Sequence, residues 1–268
     1  MKLSILMPSI RTENWDLIYN SISKSFKGKW ELIIITPDKR NKLEKENVKI
    51  IYSKKSPVSC QQLGLIASSG EWITSLSDDG QYLEGMLDYA MNIAIKRKNK
   101  IIVMKYTEGN ELGMGEFYSH RLRKNVFFTT NWDFMKSDEY YYLENHKDCQ
   151  LPYMPKPSPV LSTAIMRRSS LVDIGGWDCN FETLGIGNCE LAGRLMLSGI
   201  EFDVADKLIS FNGFDGSTGN SHGAIHAAML ENDKPLLTRT FSKKLADINI
   251  YLSIENHTKT PIKWERRG

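Results

Sequence analysis

Short apolar runs alternate with amphipathic stretches along the first hundred residues, and that rhythm predicts the fold class. Residues 3–7 (LSILM) form an apolar run ended by Pro8-Ser9, which reads as a strand followed by a loop. Trp15, Ile18, Ile22 and Phe26 then recur at helical spacing and paint one face of a helix. Further strands are predicted over 30–36, 48–52, 72–76 and 100–105, with helices over 59–69 and 83–96 between them. Near-continuous apolar strands separated by helices predict an α/β fold, a mostly parallel sheet covered on both faces. Ligands bind such sheets at the carboxyl ends of the strands. The polar residues at those ends are Ser9, Arg11, Asp38 and the pair Asp78/Asp79.

Residues 106–158 break the rhythm. They are rich in Tyr, Phe, Trp, Asn and charge, with glycines early and prolines late, and read as an irregular insertion of the kind that carries specificity. Its aromatic residues suit stacking on sugar faces or a local core. The run 160–167 restores a strand, 169–174 a short helix ended by Gly175-Gly176, and 189–198 a second helix. Two short strands are expected over 202–205 and 208–211, then a charged amphipathic helix and an extended end from 231 onward.

Composition changes this picture little. Of 268 residues, 41% are hydrophobic and 25% charged, which is ordinary for a globular chain and excludes disorder. A net charge of +3 is compatible with an acidic ligand such as a nucleoside diphosphate without demanding nucleic acid. The four cysteines show no paired or zinc-type spacing, which fits a reducing cytoplasm. No stretch reaches the roughly 20 apolar residues needed to cross a bilayer, and the N-terminal run is too short for a signal peptide.

Two adjacent carboxylates at a strand end, followed by Gly80, suit a hard divalent cation, Mg²⁺ or Mn²⁺, which takes carboxylate, phosphate and water oxygens. The plain alternative is a solvated Asp-Asp-Gly turn. The segment 56–87, SPVSCQQLGLIASSGEWITSLSDDGQYLEGML, resembles the stretch of glycosyltransferase family 2 that runs from a donor-contacting helix into its DxD motif. Gln61-Gln62-Leu63-Gly64 stands where that family has Arg-Asn-x-Gly, and Ser77-Asp78-Asp79 where it has DxD. The resemblance implies a GT-A fold, with Asp79 as direct metal ligand, Asp78 as ribose or water-mediated partner, and Gln62 on the donor. It also implies nucleoside contacts from Pro8, Ser9 and Arg11 at the end of the opening strand, and a base or ribose contact from Asp38.

The second half continues the resemblance. Ile174-Gly-Gly-Trp-Asp178-Cys-Asn-Phe181 is similar to the family's acceptor-side Gly-Gly-Phe/Trp-Asp loop, and the following helix to its Glu-Asp-x-x-Leu-x-x-Arg segment. That aspartate is the family's general base; here Gly187-Asn188 stands in its place, and an amide takes no proton. Glu190, Asp178 and Glu182 are the candidates to replace it, unless the reaction dispenses with such a base. Glu190 has a structural alternative in an i,i+4 ion pair with Arg194. The Gly-, Ser- and Asn-rich stretch 211–226 suits wrapping a phosphate, and the resemblance to GT-A enzymes implies a further metal ligand there, His222 first or His226 four residues later.

The expected organisation is a GT-A domain over 1–230, with a nucleotide-binding half (1–105), the insertion (106–158) and an acceptor half (159–230), followed by an extension over 231–268. The expected activity is transfer from a nucleoside-diphosphate sugar, a UDP-sugar foremost, to the hydroxyl of a glycan or other acceptor, with inversion. A catalytically inactive nucleotide-sugar binder is the alternative, favoured by Asn188. A nucleotidyltransferase ranks below both for want of a Gly-rich triphosphate loop near the N-terminus. A nucleic-acid acceptor stays open.

Overall fold

The computed structural model describes residues 1–109, 161, 163–213, 224–225, 227–241, 248–258 and 264. Residues 110–158 of the expected insertion, His222 and His226 lie outside the described residues. The strands are β1 (Lys2–Pro8), β2 (Lys29–Thr36), β3 (Val48–Tyr52), β4 (Trp72–Ser75), β5 (Gly80–Tyr82), β6 (Lys100–Gly109), β7 (Ala164–Arg167) and β8 (Glu201–Gly213). The helices are α1 (Trp15–Ser25), α2 (Pro57–Ala67), α3 (Met86–Lys96), α4 (Arg168–Asp173), α5 (Leu184–Leu197) and α6 (Lys234–Phe241).

The eight strands form one sheet in the order β3-β2-β1-β4-β7-β6-β8-β5. β1, β2, β3 and β4 are mutually parallel, so their carboxyl ends share one rim. The period-two alternation of strand side chains divides the apolar runs between two faces. Leu3, Ile5, Met7, Leu32 and Ile34 pack with Trp15, Ile18 and Ile22 of α1 and Leu87 and Met91 of α3. Leu6, Ile33 and Ile35 face the other way, onto Val58 and Leu65 of α2 and Leu191 and Leu195 of α5. Leu237, Phe241 and Ile248 from the last forty residues complete that second cluster. Among the described residues no helix is long and apolar enough to cross a membrane.

Several elements differ from the sequence reading: β5 follows the carboxylate pair where no strand was expected, and β6 continues to Gly109, four residues into the expected insertion. The helix expected from 189 begins at Leu184, because Asp233 accepts hydrogen bonds from the Glu182 N–H (2.9 Å), the Thr183 N–H (2.7 Å) and the Thr183 hydroxyl (2.5 Å), fixing its entry from fifty residues away. The two strands expected over 202–205 and 208–211 are one, β8, whose pairing with β6 slips at Met104 to Tyr106 and so absorbs the polar residues between them. In the extension, one π-helical turn (Met229–Asp233) precedes α6, and a 3₁₀ turn spans Ile254–Thr258.

Candidate active site

β1 has β2 on one side and β4 on the other, so the strand order reverses between β1 and β4. A crevice opens at such a switch point, outside the carboxyl ends of the two strands. Asp78 closes its floor. Its Oδ2 accepts the backbone N–H groups of Ile10 (2.7 Å) and Arg11 (2.8 Å), and its Oδ1 the Arg11 guanidinium (2.7 Å). The Asn14 amide donates to the Asp78 carbonyl at 2.9 Å. Asp78 is 5% exposed and thus clamps the loop after β1 to the end of β4. A buried carboxylate holding three charge-assisted or backbone donors is a positioned element, which answers the solvated-turn alternative for this residue.

Asp79, its neighbour, is only partly buried and accepts the Ser77 hydroxyl. Burial raises its carboxyl above the usual range against that hydrogen bond, and the Asp78 charge adds to the rise. One carboxylate at a crevice mouth fits a Mg²⁺- or Mn²⁺-type ion whose remaining ligands are diphosphate and water. Among the described residues no three His, Cys, Asp or Glu side chains gather into a fuller cage. β5 leaves directly from Asp79 and pairs with β8 so that Gly80 lies opposite Asn212. Glu108 and Gly109, at the end of β6, pair with Asn212 and Gly213. The chain therefore enters both the insertion and the 214–223 stretch from backbone beside the carboxylate pair.

The other predicted donor-side residues divide. Pro8 ends β1 at the rim. Ser9 is buried, its N–H on the Ile35 carbonyl (2.8 Å) and its hydroxyl accepting from the Trp15 indole (2.8 Å), so it shapes the loop. Ile10, half exposed, is the apolar surface that loop presents, and sequence reasoning passed over it. Asp38 stands at the end of β2, bonded to the Arg40 N–H (2.8 Å) and the Asn41 amide (2.9 Å), which in turn reaches Thr12 of the neighbouring loop (2.7 Å). These hydrogen bonds, from Arg40 first, hold its carboxyl below the usual range.

Gln62 does not face the crevice. Its amide nitrogen donates to the carbonyls of Gly175 (3.0 Å) and Ile254 (2.8 Å), and its oxygen accepts the Trp177 N–H (2.9 Å). Gln61, one residue earlier and about 100° around the helix, donates to the Ser75 hydroxyl at the end of β4, and its oxygen has no partner among the described residues. It is the glutamine aimed at the rim.

In the segment predicted to face the acceptor, Asn188 accepts the Trp177 indole N–H at 2.9 Å. Gly187 is a packing requirement: a Cβ there would lie 2.6 Å from Val58 Cγ2, so α5 approaches the start of α2 too closely for a glutamate. Glu190 is 2% exposed and binds Arg194 through both oxygens, at 2.5 and 2.9 Å. Arg194 also donates to the Ile174 (2.8 Å) and Gly176 carbonyls, which makes the pair a buried brace for the Gly-Gly-Trp loop. Asp178 is partly exposed, with one oxygen taken by the Asn180 N–H (3.0 Å) and amide (2.7 Å).

No family model matches the sequence, and no curated protein matches it. Solved structures do. TarS 1–349 from S. aureus in complex with UDP aligns over 92% of this chain and 74% of its own, at 18% identity and a TM-score of 0.53. The same protein in complex with UDP-GlcNAc aligns over 92% and 69%, at 17% identity and a TM-score of 0.55. The fold is of the GT-A type. Identities this low carry the fold and nothing finer.

Proposed function

We propose that this chain is a nucleotide-sugar glycosyltransferase that uses Mn²⁺ or Mg²⁺ and passes the sugar to an acceptor hydroxyl with inversion. The observation that carries the proposal is the carboxylate pair at the β1/β4 switch point, Asp78 clamping the nucleoside-side loop and Asp79 left at the mouth. The shared fold supports it, since the TarS structures were obtained with UDP and UDP-GlcNAc. The Ile10–Arg11 loop and Asp38 flank the place for the nucleoside, Gln61 and Ser75 lie toward the diphosphate, and Asp79 holds the cation, with His222 as its expected further ligand. When bound, the cation supplies charge neutralisation on the departing diphosphate. Of the three candidate bases, Asp178 is the one that is partly exposed; Glu190 is buried and held by Arg194 through both oxygens, and Glu182 is fully buried.

A second reading, a nucleotide-sugar binder without turnover, draws on Asn188, whose carbonyl serves the Trp177 indole where the family carries its base. A donor panel of UDP-, GDP- and dTDP-sugars, assayed with Mn²⁺ for hydrolysis and transfer, separates the two. An enzyme turns over one donor and loses about 10²–10³-fold on Asp79→Ala, the usual cost of removing one preorganised electrostatic contact. A binder turns over none.

A further inference from the structure

The extension supplies a second set of contacts whose target is the acceptor-side loop. Residues 248–258 run across α2 and α5, and their polar groups converge on the five residues from Gly175 to Cys179. The Asn256 amide nitrogen donates to the Gly175 carbonyl at 2.9 Å, and its oxygen accepts the Cys179 N–H at 3.1 Å. One side chain, 3% exposed, thus bridges the two flanks of Trp177-Asp178. The Leu252 N–H donates to the Ile174 carbonyl at 3.1 Å, and Gln62 ties Gly175, Trp177 and the Ile254 carbonyl together. The Lys55 ammonium, ahead of α2, reaches the His257 carbonyl at 2.5 Å.

The fit is close enough to fix sequence. Gly175 and Gly176 have φ of +82° and +68°, where side chains are strained. A Cβ would meet the Leu252 carbonyl oxygen at 2.1 Å on Gly175 and the Gln62 Oε1 at 2.1 Å on Gly176. The loop has therefore been shaped against the strap and against Gln62 together, and a hydrogen-bonded segment with no slack holds Asp178 in one place.

We propose that Asn256 and Gln62 are positioning residues for transfer: the strap 248–258 holds the Gly175–Cys179 loop so that Asp178 meets the acceptor, and it does so without touching the donor. This rests on the glycosyltransferase reading, with Asp178 as base. A base 1 Å out of place loses transfer steeply while the donor stays bound. Asp78 and Asp79 lie in the turn between β4 and β5, outside the strap's hydrogen bonds.

The test uses the full chain with Asn256→Ala and Asn256→Asp, each read three ways. Hydrogen exchange of the 175–181 amides, which needs no activity, is expected to rise at least tenfold in Asn256→Ala. Binding of UDP with Mn²⁺ by calorimetry is expected within twofold of the wild type. Acceptor transfer is expected to fall tenfold or more in kcat, with the donor KM unchanged. Asn256→Asp keeps the acceptor for the Cys179 N–H but loses the donor to Gly175, and is expected to fall between the two. Unchanged exchange or unchanged transfer overturns the proposal. So does a parallel loss of UDP binding and transfer, the mark of a general folding defect. A wild-type chain that binds no UDP, while exchange still responds to Asn256→Ala, counts against the glycosyltransferase reading and leaves the tether standing.

Discussion

Glu190→Ala is expected to lower the unfolding free energy by about 3–5 kcal/mol, the cost of leaving one partner of a buried ion pair uncompensated. Glu190 and Arg194 are both buried, and the guanidinium is held by two carboxylate oxygens and the carbonyls of Ile174 and Gly176. Alanine removes the charge that makes Arg194 tolerable there. For a chain of this size that is an unfolding midpoint lower by roughly 6–20 °C, read by calorimetry or circular dichroism. Glu190→Gln keeps an acceptor for Arg194 and is expected to be milder, with turnover retained at a temperature where it is folded. Abolished turnover in a fully folded Glu190→Gln would return the base to Glu190.

Asp178→Asn carries the second large effect. It preserves size and the contact with Asn180 but cannot take a proton, so transfer is expected to drop by about 10²–10⁴-fold, the range a positioned general base contributes. UDP binding is expected within twofold of wild type. The comparison that matters is kcat for transfer against UDP affinity on the same preparation. Undiminished transfer removes Asp178 from the mechanism.

The first half was legible because parallel strands buried on both faces leave apolar runs, as β1, β2 and β4 do, while β3 at the sheet edge has no fully buried residue. The rim followed, and with it Ser9, Arg11, Asp38, Asp78 and Asp79. What the chain does with each was less legible. Asp78 and Asp79 share one turn, closed by the Gly80 N–H on the Ser77 carbonyl (2.9 Å), and only the fold says that Asp78 turns inward to the Ile10 and Arg11 N–H groups while Asp79 stays at the mouth. Gln61 and Gln62 are equally polar and one helical step apart, so sequence cannot tell which faces the rim. The start of α5 was hidden by Gly185, Gly187 and Asn188, poor helix formers whose helix is secured by Asp233 instead. Asn256, alone in a polar stretch near the end of the chain, carries no local signal of its bridge across Trp177-Asp178.

The most direct measurement is a calorimetric titration of UDP into the wild-type chain and into Asp79→Ala, each with and without Mn²⁺. Saturable one-to-one binding that needs both the cation and Asp79 is the expected outcome. Binding of equal strength in all four arms, or none in any, contradicts a diphosphate held through a cation beside that carboxylate.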